Sequence, residues 1–248
     1  MPAVFVHGNP ETDAIWRPLL AELGRDDSLC LSPPGFGAPL PAGFGATRQE
    51  YVDWLAGELR AIGGPVDLVG HDWGGGHVLG VAHAHPELCR TWCTDIMGAL
   101  DPDYVWHDLA QVWQTPDAGE ENVSGMAMAP KSDLTTMFES VGMVGGVAPE
   151  VAAAVDEAMG RAILALYRSA AQPAMADLGN AMGRLPGHGL VVLATEDPYT
   201  GGEVLTRRAA ERAGARVAVL EGLGHWWMLQ APARGAAMLR EFWASAGS

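Results

Sequence analysis

Basic residues are scarce in this chain: 15 Lys and Arg stand against 30 Asp and Glu over 248 residues, a formal charge of −15. Nucleic acid or an anionic membrane surface would repel such a chain, and a neutral substrate suits it better than a strongly anionic one. Cysteine is nearly missing. Cys30, Cys89 and Cys93 are an odd number, at spacings that fit neither a disulfide framework nor a zinc site, so the simple reading is reduced, packed thiols of a cytosolic protein. His83 and His85, two positions apart on one predicted helix, splay onto different faces and make an unlikely metal pair. No apolar run is long enough to span a bilayer, and the strand Val4-Phe5-Val6 starts without a basic, then apolar, then cleavable leader. The expectation is a soluble, cytoplasmic protein that needs no cofactor and no metal, with no nucleic-acid or membrane partner.

What is present is an alternation of short apolar strands and amphipathic helices. Trp16, Leu19, Leu20 and Leu23 fall at helical spacing before Gly24, Leu29-Cys30-Leu31 reads as a strand, and Val52, Leu55, Leu59 and Ile62 line one face of a helix. Thr47 and Glu50 have the spacing of a capping box at that helix's start. Strands alternating with helices imply an α/β class protein, a mostly parallel sheet with helices on both faces and ligands at the carboxyl ends of the strands. At 248 residues, one core with an insertion fits better than two independent domains.

The most informative stretch is Val66-Asp67-Leu68-Val69-Gly70-His71-Asp72-Trp73-Gly74-Gly75-Gly76. A buried strand runs into a sharp turn and then into the helix of Val78, Leu79 and Val81. Small residues two positions either side of Asp72 allow the close packing that a strained apex needs, so the Asp72 side chain is presented rather than buried at random. A carboxylate there can attack an electrophilic carbon, expel a leaving group and leave an ester for water to cleave. The alternative is an acidic helix N-cap. The nucleophile reading is preferred because its partners follow in order. Leu190-Val191-Val192-Leu193-Ala194 leads to Asp197 at a Glu-Asp-Pro turn, and Val217-Ala218-Val219-Leu220 leads to His225 on a glycine-flanked loop. Asp197 would orient the imidazole while His225 takes the proton of a hydrolytic water. Asp101 is the alternative acid. A fourth element, Val4-Phe5-Val6-His7-Gly8-Asn9-Pro10, places the amide of Asn9, with that of Trp73, as donors to a developing negative charge, and leaves His7 a structural role.

With His-Gly-Asn-Pro at 7 to 10 and His-Asp-Trp-Gly at 71 to 74, nearly the whole chain resembles the α/β-hydrolase superfamily, in its Asp-nucleophile branch of epoxide hydrolases and haloalkane dehalogenases. The resemblance implies an α/β-hydrolase core over 1–100 and 186–248 with a helical cap inserted over 101–185. It also implies a sheet shortened at its N-terminal edge, since family members usually carry two further strands before the His-Gly strand. An exposed edge invites pairing, so a homodimer is an open expectation. The two branches divide on the leaving group. A dehalogenase would hold halide between the Trp73 indole and the Asn9 side-chain amide, whereas an epoxide hydrolase would polarise the ring oxygen with tyrosines of the cap, here Tyr104 and Tyr167.

Seven of the eleven methionines lie between Met126 and Met182, which suits an adaptable cover over an apolar pocket. Trp106, His107 and Trp113 could line that pocket or anchor the insert. Of Trp226 and Trp227, one should wall the pocket and the other pack inward. The stretch from Thr91 to Met97 reads as a strand broken by Asp95. The leading expectation is therefore opening of a small apolar epoxide to a diol by water. Hydrolytic dehalogenation is the alternative, and a non-catalytic ligand-binding relative is the reading from another class.

Overall fold

Six short apolar runs become six strands in a computed structural model in which residues 1–247 are described. They are β1 (Ala3–Val6), β2 (Ser28–Leu31), β3 (Val66–Gly70), β4 (Cys89–Thr94), β5 (His188–Ala194) and β6 (Arg216–Leu220). All pair in parallel, in the order β2-β1-β3-β4-β5-β6. Parallel neighbours require crossover helices, which cover both faces, so β1 and β3 are buried at every position. β2 and β6 are half exposed, because they form the two edges of the sheet.

The direction of winding reverses between β1 and β3. The chain leaves β1 for β2 on one side and returns to β3 on the other, so the loops after β1 and β3 diverge and leave a crevice between them. Val6 pairs with Gly70, which sets His7-Gly8-Asn9 directly beside His71-Asp72. β4 stops at Thr94, and Asp95 lies just past its end instead of interrupting it. A carboxylate at a strand's carboxyl end can meet loop donors there, whereas inside the ladder it would be desolvated without partners.

Local signals explain the helices that hold this frame. Thr47 and Glu50 cap each other, with Glu50 Oε2 accepting from the Thr47 amide at 3.1 Å, ahead of Arg48–Ile62. Gly24 ends Arg17–Leu23 in the left-handed region at φ 61°. The helix Trp73–Ala84 is buried along most of its length and packs against β1, β3 and β4. Such an approach demands glycine: a Cβ at Gly74 would overlap the carbonyl oxygens of Val6 and His7, and one at Gly70 would overlap the Gly74 backbone.

Between β4 and β5 the chain is helical: Asp108–Gln114, Ala118–Met128, Lys131–Ser140, Ala148–Ala154, Glu157–Ser169 and Ala174–Met182. Glu157–Ser169 has the clearest apolar stripe, with Met159, Ala162, Ile163, Leu166 and Tyr167 buried at helical spacing. That stripe is what turns Tyr167 inward. The three cysteines are free thiols, and among the described residues no helix is long and apolar enough to cross a membrane.

Two alanine substitutions test the helix approach. Gly74→Ala should lower stability by about 1–3 kcal/mol or more through overpacking against β1. Gly125→Ala, on an exposed helix position with nothing within 4 Å of the added methyl, should be neutral or stabilising by roughly 0.5–1 kcal/mol. Urea midpoints of the two variants check this, and equal midpoints would contradict it.

Candidate active site

Asp72 stands at the apex of the turn from β3 into its helix, with φ 49° and ψ −129°. A non-glycine residue held there costs on the order of 1–3 kcal/mol, so its surroundings must fix it. They do: the Asp72 amide donates to Asp95 Oδ1 at 3.0 Å, and its carboxylate Oδ1 accepts from the Asn9 amide at 3.0 Å. The Asp72 side chain keeps 16% of its surface open, enough to meet a ligand. This geometry excludes the simple cap reading, because no side-chain capping bond is made to the helix it precedes.

His225 lies across from Asp72, its Nε2 3.8 Å from Asp72 Oδ2. Its Nδ1 donates to Asp197 Oδ2 at 2.9 Å, which fixes the ring and leaves Nε2 facing the carboxylate. Asp197 is held in turn by the Tyr199 amide at 2.8 Å. Asp101, the alternative acid, is buried but paired with Arg208 and with the Asp103 amide, away from His225. The three residues expected to act together are thus adjacent.

Beneath them lies a second layer that the sequence reading did not assign. His71 Nδ1 donates to Asp95 Oδ2 at 2.5 Å and its Nε2 to Glu11 Oε1 at 3.1 Å, so both ring nitrogens face carboxylates. Glu11 also accepts from the Gly8 amide at 2.8 Å and the Trp226 indole at 2.5 Å, and Asp95 accepts from the Trp227 indole at 2.8 Å. The signals were present: an acid just after His-Gly-Asn-Pro and an acid at a strand's end. Nothing local says that both meet one histidine. Among the described residues Glu11, His71 and His225 offer atoms within 4.8 Å of one another, yet both His71 nitrogens and His225 Nδ1 are already committed, so the cluster reads as an ion-pair network and not as a metal centre.

Two cavities flank Asp72. The larger, about 190 Å³, is walled by Trp113, Met126, Met137, Phe138 and Trp226 and includes no Lys or Arg. The smaller, about 20 Å³ and so roughly one water in size, lies toward Trp73, Tyr104 and Trp106. Trp106 stacks on Trp73 with centroids 5.8 Å apart. Trp113 donates its indole N–H to Asn122 at 2.8 Å. Of the paired tryptophans, Trp226 walls the cavity while Trp227 packs on Trp16.

The two tyrosines part company. Tyr167 O–H lies 3.5 Å from Asn9 Oδ1, at a long donor distance, and takes a further hydrogen bond from the Trp73 side chain. Tyr104 donates its only hydroxyl proton to the Tyr199 carbonyl at 2.6 Å and interacts with the His107 amide. Of the two tyrosines expected to act together, Tyr104 thus has its hydroxyl engaged by a backbone carbonyl, while Tyr167 presents its hydroxyl between Asn9 and Trp73.

A family model described as "Alpha/beta hydrolase family" matches residues 3–238. A 2-hydroxymuconate semialdehyde hydrolase from a Pseudomonas species is 27% identical over 99% of this chain and 87% of its own length. A haloalkane dehalogenase from Sphingobium indicum is 34% identical, but over 49% of this chain and 45% of the relative. A cis-3-alkyl-4-alkyloxetan-2-one decarboxylase from Shewanella oneidensis is 33% identical over 36% of this chain, which spans only 30% of that relative. Among solved structures, epoxide hydrolase A from Mycobacterium thermoresistibile superposes with TM-score 0.73 at 20% identity, covering 97% of this chain and 90% of that one. A haloalkane dehalogenase loop variant from Bradyrhizobium elkanii gives 0.71 at 17%, covering 100% and 91%. At these identities the superpositions speak for the fold.

Electrostatics separates the two histidines. Burial alone would push the His225 imidazole down, but the carboxylates of Asp197 and Asp72 overcome it and raise its pKa, against an opposing push from His71. Burial likewise disfavours charge on His71, and Asp95 and Glu11 reverse that strongly, so His71 is an imidazolium at neutral pH. For Asp72, burial raises the pKa and the neighbouring His225 works against it. Titration by histidine NMR should place His225 above the ordinary value of about 6.5. Asp197→Asn should lower it, since an opposite charge at contact distance is lost. An unchanged titration would show that Asp197 does not set the charge of this ring.

Proposed function

The chain belongs to the alpha/beta hydrolase family, and from that premise we propose that it opens a small, neutral, apolar epoxide to a diol through an ester on Asp72. The observation that carries this reading is the Tyr167 hydroxyl. It stands between the Asn9 side chain and Trp73, close to the Asp72 site, and so fills the place where a halide would be cradled with a proton donor suited to oxygen. The apolar larger cavity, free of cationic side chains, supports an uncharged substrate.

The steps follow from the contacts. Asp72 Oδ2, the oxygen not held by the Asn9 amide, attacks the less hindered ring carbon; the C–O bond breaks, and its electron pair goes to the ring oxygen, which takes the Tyr167 proton. Oδ1 is then the ester carbonyl oxygen and already faces an N–H donor, as the hydrolytic transition state requires. His225 Nε2 removes a proton from water, whose oxygen adds to the Asp72 carboxyl carbon. The alkyl oxygen departs with the proton held by His225, and the second proton of the water restores the Tyr167 hydroxyl. Water oxygen remains in Asp72, and the oxygen that Asp72 supplied leaves in the diol.

Hydrolytic dehalogenation is the second reading, favoured by one specific feature: Asn9 Nδ2 is buried with no hydrogen-bond partner and could donate to a halide. Incubation with styrene oxide and, separately, 1-bromobutane divides the two. Diol without bromide supports the epoxide reading, bromide without diol favours the second, and turnover of neither overturns the proposal.

Three further measurements test the covalent route on a competent substrate. Asp72→Asn should lose about 10³-fold or more in kcat. His225→Gln should accumulate the ester as an adduct seen by intact-protein mass spectrometry, and repeated turnover in heavy-oxygen water should label Asp72. Because hydrolysis needs neutral His225 and its pKa is raised, the rate should fall as pH drops through a value above the ordinary imidazole one. Turnover without label in Asp72 would rule the ester out.

A further inference from the structure

The wall of the larger cavity is shared by two stretches distant in sequence: Met137, Phe138 and Val141, at and just past the end of the helix Lys131–Ser140, and His225 with Trp226 after β6. One side chain bonds to both. Gln230 Oε1 accepts the Gly224 amide at 2.7 Å, and Gln230 Nε2 donates to the Gly142 carbonyl at a longer 3.4 Å. Gly224 is the residue before His225, and Gly142 the residue after Val141. Both approaches are close: a Cβ at Gly142 would stand 3.0 Å from Gln230 Nε2, and one at Gly224 3.3 Å from the same atom. Gly142 is in turn tied to its helix, since its amide donates to the Glu139 carbonyl at 3.1 Å and the Met143 amide to the Phe138 carbonyl at 3.0 Å. Gln230 itself is anchored by its amide, which donates to the Trp226 carbonyl at 3.0 Å.

Resting on the Asp72-ester reading above, we propose that Gln230 is a positioning residue for the second half of the reaction: by bonding Gly224 it holds His225 where Nε2 can activate water, and by bonding Gly142 it ties that placement to the seating of the outer cavity wall. Asp197 fixes the His225 ring through Nδ1, but the backbone enters the loop through a glycine, and the bond to Gln230 narrows its range of conformations. The placement matters because Nε2 is 3.8 Å from Asp72 Oδ2, beyond direct hydrogen bonding, and must meet a water beside the ester. A shift of about 1 Å at a reacting group can cost roughly 100-fold in rate. The attack by Asp72 needs no proton transfer at His225, so loss of Gln230 should spare ester formation and slow ester hydrolysis.

Two substitutions separate the two ends of the side chain. Gln230→Met has similar length and makes neither bond; Gln230→Glu can still accept the Gly224 amide but has no N–H for the Gly142 carbonyl. The readout is single turnover of styrene oxide, rapidly quenched, with formation and decay of the Asp72 adduct followed by intact-protein mass spectrometry. Gln230→Met should form adduct within about twofold of the parental rate and lose it about 100-fold more slowly. In steady state its kcat and KM should then fall together, leaving kcat/KM unchanged, a pattern that general loosening of the fold does not produce. Gln230→Glu should decay between the two, at least about tenfold faster than Gln230→Met, because the bond to Gly224 is kept. Decay of the Gln230→Met adduct at the parental rate would overturn the inference, as would equal losses in formation and decay, or a Gln230→Glu adduct no faster to decay than that of Gln230→Met. Absence of any adduct in the His225→Gln variant with either styrene oxide or 1-bromobutane is a different outcome: it removes the ester reading on which the inference rests.

Discussion

A single buried imidazolium ties the centre of this protein together. His71 is clamped between Glu11 and Asp95, and each carboxylate spends its remaining capacity on the machinery around it. Glu11 receives the Gly8 amide and so shapes the loop that points the Asn9 amide at Asp72. Asp95 receives the Asp72 amide and so holds the strained apex. The indoles of Trp226 and Trp227 close the two ends and anchor the segment that follows His225. Buried charge is expensive, and it is tolerable here because every atom of the network that needs a partner has one. The loops after β1, β3 and β4 and the His225 segment cannot shift independently.

The same network sets the electrical contrast in the site. The rings of His71 and His225 are 4.4 Å apart, yet they serve opposite ends. One is charged and enclosed by two carboxylates. The other borders the cavity, bonded through one nitrogen to Asp197 and free at the other to exchange a proton. The positive charge of His71 opposes protonation of His225, while Asp197 favours it, so this ring is poised by two opposed neighbours. An imidazole within reach of Asp72 alone would lack that balance.

The helices between β4 and β5 supply the rest of the environment. Tyr167 arrives on the inward stripe of Glu157–Ser169, and His107 at the first residue before Asp108–Gln114. The methionines that fill this segment contribute Met126 and Met137 to the wall of the larger cavity, where a flexible thioether accommodates apolar groups of different shape. The contrast in cavity size means that a substrate reaching Asp72 has room for a large substituent on one side and little on the other. This apolar cover also strengthens each hydrogen bond beneath it by excluding water.

Much of this was legible in the amino-acid order. Strand-turn-helix patterning with Gly70 and Gly74 around Asp72, and Asp197 and His225 each just past an apolar strand, specify the sheet and the three residues that meet, because backbone period and steric need are local properties. The weak points were those where a side chain's role depends on distant partners. Tyr104 reads as a free phenol in the sequence, but its hydroxyl donates to the Tyr199 carbonyl, and Asp95 reads as a flaw in a strand but anchors the Asp72 amide. Glu11, His71 and Asp95 are 60 and 24 positions apart along the chain, and only the packing of β1, β3 and β4 side by side brings them within hydrogen-bond reach. Sequence alone determined the elements, their order and the carboxylate at the apex of the turn after β3. Tertiary structure decided which protons are free to be given, since that depends on which acceptors the fold delivers to each donor.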